Sequence, residues 1–217
     1  MSYDEQDAAY DRFVDELYKE FRGSALDDVE LYDRIVDDFK ASRLRAFYVE
    51  HPLVARPAQE ALTESATLLT DHPRAALVFA VTAAEVCLRE ALLTPILHGM
   101  FHTESSAELV AKLVVTIKDD KLIKALIRVL AEHTGTDLQV FCRSGSLKPL
   151  WEEMQELKVK RNHVLHQAIT VSVDDGRQAI AIAEVLLREV FPTVISKLGL
   201  HLHDCIRACD SPKCSIT

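Results

Sequence analysis

The chain has 217 residues, of which 48% are hydrophobic and only six are glycine, so we expect a globular, mostly helical protein with one large core. Its formal net charge of −9 argues against a protein that coats nucleic acid over a broad surface. No apolar stretch is as long as a membrane span, and the acidic start lacks the apolar region of a signal peptide. We therefore expect a soluble, cytoplasmic protein with no membrane partner.

The N-terminal segment, residues 1–55, is expected to be acidic and helical. Residues 1–50 contain fourteen acidic and seven basic side chains, a net charge of −7, so the remaining 167 residues carry only −2. Apolar residues recur at helical spacing over 3–22 and 26–47, which predicts two helices. The prolines within 48–57 predict a connector. Because the negative charge is concentrated at this end, the nearly neutral rest of the chain can still form one small basic cleft.

The apolar periodicity of the following residues predicts an all-α core over residues 56–200. The predicted helices cover 57–70, 71–98, 105–117, 119–132 and 148–167, and a last helix runs from a cap within 171–174 to about 197. Residues 133–147 contain two glycines and no periodic pattern, so they are expected to form a loop. The β-like run at 168–173 is too short to predict a strand.

Two prolines and one cap refine these helices. Pro95 and Pro192 lie inside helical patterns and are expected to bend them, because proline cannot donate a backbone hydrogen bond. Ser172 or Asp174 is expected to cap the last helix by accepting a hydrogen bond from an N–H group of its first turn.

The last segment, residues 201–217, is expected to be a polar, unstructured tail. It contains five side chains of metal-binding type, which are His201, His203, Cys205, Cys209 and Cys214. Their spacing matches no standard zinc signature, so incidental cysteines are favoured over a zinc site. Five cysteines without a secretion signal indicate reduced thiols. Since there is also no glycine-rich phosphate loop, we expect neither a bound metal nor another cofactor.

Arg161 stands out within the predicted core. The apolar face of the 148–167 helix consists of Leu150, Met154, Leu157, Val164 and Leu165. Arg161 falls in the middle of that face, four residues after Leu157. Burying a guanidinium alone is very costly, so it needs a carboxylate, a phosphate or a water-filled cleft.

Glu85 is the predicted partner of Arg161. It lies between Val78 and Leu92 on the apolar face of the 71–98 helix, where it is the one charged residue. The two residues carry opposite charges in equivalent surroundings, so we expect them to form an ion pair within one protomer. A structural pair and a pair that orients the cation for a function are compatible interpretations.

His166 follows Arg161 by five residues near the end of the predicted helix, with the polar Asn162 between them. This arrangement resembles the R-x4-6-H signature of HEPN domains, over roughly Asp71 to Leu200. The resemblance implies an all-α, up-and-down helical bundle with additional N-terminal helices. Many HEPN proteins are metal-independent endoribonucleases of toxin–antitoxin and other bacterial defence systems, which implies an RNA substrate and an antitoxin or another protein partner. Glu85 resembles the acidic residue on the first core helix of many HEPN proteins.

Metal-free RNA cleavage requires proton transfer and positive charge on the reacting phosphate. His166 can exchange protons near neutral pH, and Arg161 supplies a fixed cation with forked donors. Asn162 lies four residues before His166 and could orient the imidazole or contact the phosphate. His163 is either a second proton carrier or, as we favour, an ordinary polar position of the helix.

The positions of these residues around the helix predict a homodimer. Arg161 and His166 are about 140° apart, at about 100° per residue. One chain therefore presents them poorly to one phosphate. We expect two copies of residues 161–166 to face each other across one cleft, as the resemblance to HEPN nucleases also implies.

Two less specific interpretations stay open. Arg161 could make a structural ion pair while His166 is a surface or capping residue. The chain could also be a non-catalytic HEPN-like module that dimerises or binds a partner protein or a nucleotide, which the acidic N-terminal segment fits. A basic cleft around Arg161 would favour the enzyme, whereas burial of His166 would favour the module.

Overall fold

The computed structural model describes residues 41–100, 120–204 and 206–211. The chain divides into two compact units, Met1–Lys40 and Ala41–Thr217, and the described residues all belong to the second. Apart from one short hairpin, the secondary structure of the described residues is helical, so the prediction of an all-α fold is confirmed. Within this part of the chain, no helix is both long and apolar enough to cross a bilayer.

Some predictions lie outside the described residues. These are the helix at 3–22, most of the helix at 26–47 and the helix at 105–117. Residues 41–50 are helical, so helix extends three residues beyond the predicted end at residue 47. It contributes Leu44, Phe47 and Tyr48 to the hydrophobic core, so the core includes residues that the sequence analysis assigns to the N-terminal segment.

Helix α1 (Arg56–Leu68) packs along helix α2 (Pro73–Val86). Each has a proline in its first turn. An N–H group at that position has no carbonyl partner within the helix, so proline removes no hydrogen bond there. The buried Ser65 hydroxyl donates a hydrogen bond to the Ala76 carbonyl over 2.7 Å and joins the two helices. The pair forms one side of the core.

The helical run continues beyond α2 as a π-helical segment, π1 (Cys87–Leu93), and then as helix α3 (Thr94–Met100). The N–H of Thr94 bonds the carbonyl of Arg89, five residues earlier. In an α-helix the ring of Pro95 would clash with the carbonyl of Ala91, and the wider π turn gives it room. The predicted 71–98 helix is therefore present, with a π segment before the proline that the sequence analysis did not anticipate.

Helix α4 (Asp120–Thr134) and helix α5 (Leu150–Gln167) agree with their predicted ranges to within two residues. They are joined by an irregular segment, as expected. Helix α5 ends at Gln167, because the φ of 51° at the next residue, Ala168, lies in the left-handed region.

Helix α6 (Val173–Val185) begins with a capping box between Ser172 and Asp175. Of the two predicted caps, the structure therefore selects Ser172. The run continues as π2 (Leu186–Val190) and helix α7 (Phe191–Lys197), which contains Pro192 in its first turn. The N–H of Phe191 bonds the carbonyl of Leu186, so a π turn precedes this proline too.

Helices α2 and α6 pack closely at the centre of the fold. Their buried small residues include Ala76, Ala80 and Ala83 on α2 and Ala179 and Ala183 on α6. A Cβ atom at Gly176 would lie 2.6 Å from Cδ1 of Leu69, so glycine permits a closer approach than a larger residue would allow. This packing fixes the position of the start of α6. The end of α5 contacts α6 at that point.

The prediction of an unstructured tail is wrong for residues 201–209. Strands β1 (His201–His203) and β2 (Arg207–Cys209) form an antiparallel hairpin. Leu202 lies opposite the buried Ala208 and packs against the core, and Asp204 turns the chain with a φ of 50°. A strand of three residues with one inward side chain is too short for a periodicity argument to detect.

Candidate functional site

The candidate site is built on helix α5, one side of which is buried. Leu150, Met154 and Leu157 are buried, and Val164 packs against the core. The prediction for Leu165 is wrong, since its side chain is 55% exposed. It lies at the margin of the apolar face, next to the solvent-facing side of the helix.

The predicted ion pair between Arg161 and Glu85 is present. Nη2 of Arg161 lies 3.1 Å from Oε1 of Glu85, which joins α5 to the end of α2. The side chains are 20% and 24% exposed, so the pair lies at the edge of the core and solvent reaches both groups. The contact with Glu85 holds the guanidinium of Arg161 in a fixed position.

This ion pair uses only part of the guanidinium. Nε of Arg161 is buried and, among the described residues, has no hydrogen-bond partner. A forked contact of two parallel hydrogen bonds to Glu85 is therefore absent. Arg161 is anchored through one nitrogen, and its charge is incompletely satisfied by the protein.

Arg89 is a further basic residue that the sequence analysis missed. It follows Glu85 by four residues, a spacing that places two side chains on the same side of a helix. Its side chain is half-buried and makes no hydrogen bond or ion pair within the described part of the chain. The four-residue spacing from Glu85 is the signal that could have identified it.

Asn162, His163 and His166 are all exposed. None of them makes a side-chain hydrogen bond to another described residue, so Asn162 does not orient His166 within one protomer. Arg161 faces α2 whereas His166 faces solvent. The structure places the predicted residues on one helix but does not bring Arg161 and His166 together. Their roles stay predictions.

The helix is anchored directly beside Arg161. Nζ of Lys160 donates a short hydrogen bond to Oδ1 of Asp175, and Oδ2 of Asp175 accepts one from the N–H of Ser172. The contact with Lys160 is the main cause that holds the pKa of Asp175 below its usual value, and the Ser172 backbone adds to it. The capping box of α6 therefore also fixes the end of α5.

Glu153, a buried acid on α5, was also missed. It is only 3% exposed and accepts a forked contact from Arg143, with N···O distances of 2.9 and 3.0 Å. The Ser146 hydroxyl donates to the same carboxylate over 3.0 Å. These contacts hold the segment that precedes α5. Like Glu85, Glu153 lies on an otherwise apolar helical face, so the same criterion could have identified it.

The tail does not assemble a metal site from the described residues. His201 lies opposite Cys209 in the hairpin, and His203 lies opposite Arg207. No group of three or more His, Cys, Asp and Glu side chains within the described ranges is arranged to hold a metal ion. Cys205 and Cys214 lie outside those ranges.

No family model, no curated protein and no solved structure matches this chain.

Proposed function

We propose that this protein is a metal-independent endoribonuclease of the HEPN type that acts as a homodimer. The observation that carries the proposal is the ion pair between Arg161 and Glu85. It anchors a guanidinium at the edge of the core through one nitrogen, on the helix that exposes His166. Exposure of His166, rather than burial, is also what a proton-transfer group requires.

The chemistry follows from these two side chains. The imidazole of His166 removes the proton of the ribose 2′-hydroxyl, and the 2′-oxygen attacks the adjacent phosphorus. The imidazolium then returns this proton to the 5′-oxygen as its bond to phosphorus breaks. Arg161 stabilises the negative charge of the phosphorane. The products are a 2′,3′-cyclic phosphate and a 5′-hydroxyl end, and no metal or other cofactor takes part.

A dimer supplies what one protomer lacks. The cavities lined by described residues around Phe47 and Trp151 contain neither Arg161 nor His166. The exposed side of α5 also presents Val159, which is 54% exposed, and Leu165. Exposed apolar side chains on this helix suit contact with a second copy. Arg161 of one copy would then act together with His166 of the other.

Basic residues lie near both members of the ion pair in the sequence despite the acidic chain. Arg89 follows Glu85 by four residues, and Lys158 precedes Arg161 by three residues on α5. We place the protein in the cytoplasm, in a bacterial defence or toxin–antitoxin setting with an antitoxin or another protein partner. That setting rests on the resemblance to HEPN proteins alone.

The test is incubation of the purified protein with RNA of mixed sequence in EDTA. We expect cleavage with 2′,3′-cyclic phosphate ends, no cleavage of DNA, and loss of activity in His166→Ala. His72→Ala is a matched control, because His72 is an exposed histidine that makes no side-chain cap hydrogen bond. Cleavage of DNA, abolition of activity by EDTA or an active His166→Ala variant would each contradict the mechanism.

The alternative function is a non-catalytic module that dimerises or binds a partner protein or a nucleotide. The buried Nε of Arg161 favours it, because this part of the guanidinium faces the protein interior and is out of reach of a phosphate. A dimer that leaves every RNA intact would support this alternative.

A further inference from the structure

A cavity of about 670 Å³ lies between residues 47–54 and the second half of the long helical run. Its lining includes Phe47 and His51 on one wall and Glu90, Thr94 and His98 on the other. The motif residues on α5 take no part in it. The cavity is therefore independent of the proposed nuclease site.

Both walls of the cavity are held by the fold. Glu90, Thr94 and His98 recur every four residues along π1 and α3, so they share one side of the helical run. On the other wall, the carbonyl of Pro52 accepts a hydrogen bond of 2.9 Å from the N–H of Ala208 in the hairpin. The hairpin thus fixes the connector, and the cavity exists before any ligand enters.

Three aromatic rings meet at this cavity. The ring centroid of Phe47 lies 4.5 Å from that of His51 and 4.8 Å from that of His98. The faces of aromatic rings attract cations within about 6 Å of the centroid, most strongly for Trp, Tyr and Phe. Residues 52–54 add apolar side chains to the lining.

The charges at the cavity are mainly negative. Glu90 contributes an exposed carboxylate. An adjoining cavity of about 280 Å³ shares Phe47, His51 and His98 and adds Glu50 and Arg43. Nε of Arg43 donates to the carbonyl of His98 over 3.3 Å, so that guanidinium is already engaged. A carboxylate, an aromatic cluster and apolar walls together match an organic cation better than a phosphate or a neutral ring.

We propose that this cavity binds a small alkylated ammonium compound. The positive charge lies against Glu90 and the ring of Phe47, and the alkyl groups contact the apolar side chains of residues 52–54. The occupant is a free small molecule, because the cavity is comparable in volume to sites for such ligands.

Isothermal titration calorimetry of the full chain with choline tests the proposal. The comparison ligand is the uncharged isostere of choline in which carbon replaces the nitrogen. We expect choline to bind about tenfold more tightly than the isostere, since only the charged form gains from the carboxylate and the ring. Glu90→Gln should weaken choline binding several-fold, whereas Glu132→Gln, at an exposed position on α4, should leave it unchanged.

A second variant, Phe47→Leu, tests whether the aromatic ring contributes to choline binding. Phe47 is buried, so circular dichroism must first show that the variant is folded. A folded Phe47→Leu protein should lose the preference for choline over its isostere. Equal affinity for the two ligands, unchanged affinity in Glu90→Gln, no saturable choline binding, or tighter binding of adenosine than of choline would overturn the proposal.

Discussion

Nη2 of Arg161 lies 3.1 Å from Oε1 of Glu85, and this contact ties helix α5 to the end of helix α2. The pair is mostly shielded from solvent, so each charge depends on the other for its compensation. We expect Arg161→Met or Glu85→Gln to destabilise the fold by about 1–3 kcal/mol, below the range for a fully buried pair because solvent reaches both groups. Urea denaturation measures this change.

The double variant provides the control for that prediction. Arg161→Met combined with Glu85→Gln should lose less stability than the sum of the single variants, because neither charge is then left uncompensated. Arg177→Met, which removes the exposed pair with Asp174, should change stability by less than about 0.5 kcal/mol. Strict additivity at Arg161 and Glu85 would show that the contact contributes nothing.

Tyr48 is expected to be a major stabilising residue of the helical run. Its buried hydroxyl donates a 2.7 Å hydrogen bond to the carbonyl of Ala91, whose α-helical donor would have been the N–H that Pro95 lacks. Tyr48→Phe leaves this buried carbonyl without its side-chain donor and should cost about 1–3 kcal/mol in thermal or urea denaturation.

A matched control for Tyr48→Phe is Thr63→Val, because the Thr63 hydroxyl bonds the Gln59 carbonyl at an exposed position. Its effect should stay below about 0.5 kcal/mol. Adding Pro95→Ala to Tyr48→Phe should recover part of the loss by supplying an N–H group to the Ala91 carbonyl. A neutral Tyr48→Phe substitution would contradict this account.

Asp175 should make stability depend on acidic pH. Its pKa is lower in the folded protein than in the unfolded chain, chiefly because Lys160 donates a hydrogen bond to it. The folded state therefore binds this proton less readily. The contribution is fully present above the unfolded pKa of about 3.9 and is lost as pH falls through the folded value.

Denaturation midpoints measured from neutral pH down to about pH 3 test this dependence. Asp175→Asn should be less stable at neutral pH and should show a shallower loss on acidification. Asp174→Asn is the control, since Asp174 is exposed and pairs with Arg177 on the helix surface. The expectation fails if Asp175→Asn and the unaltered chain have the same pH slope.

The proposed composite site predicts complementation between inactive variants. Arg161→Lys and His166→Ala should each be inactive as pure dimers, because lysine lacks the forked donors of arginine. Mixed dimers should regain cleavage if Arg161 of one copy works with His166 of the other, since one of their two sites is intact. The measurement is RNA cleavage after the two proteins are unfolded together and refolded.

Each pure variant refolded alone is the control for complementation. Light scattering must show that the protein is dimeric at the concentration used. If correctly folded mixed dimers are inactive, we would conclude that Arg161 and His166 of the same copy act in one site. A protein that is monomeric at micromolar concentration would remove the basis for the composite site.

The sequence predicted those features that depend on long helical periodicity. The ranges of α4 and α5 and the pairing of Glu85 with Arg161 follow from apolar faces that repeat over several turns. Glu153 was missed although it satisfies the same criterion, because its partner Arg143 lies in an irregular segment without periodicity. The hairpin was missed because each of its strands has three residues.

Helix propensity also says nothing about π turns, although π1 and π2 both precede a proline. A π turn contains about one residue more than an α turn, so it shifts the phase of every later residue by about 100°. In the run from α2 to α3, this shift lies between Glu85, which contacts Arg161, and the stripe of Thr94 and His98, which lines the Phe47 cavity. Deleting one residue within π1 would therefore restore an α turn and keep that stripe on nearly the same side, but the ring of Pro95 would then clash with the carbonyl four residues before it.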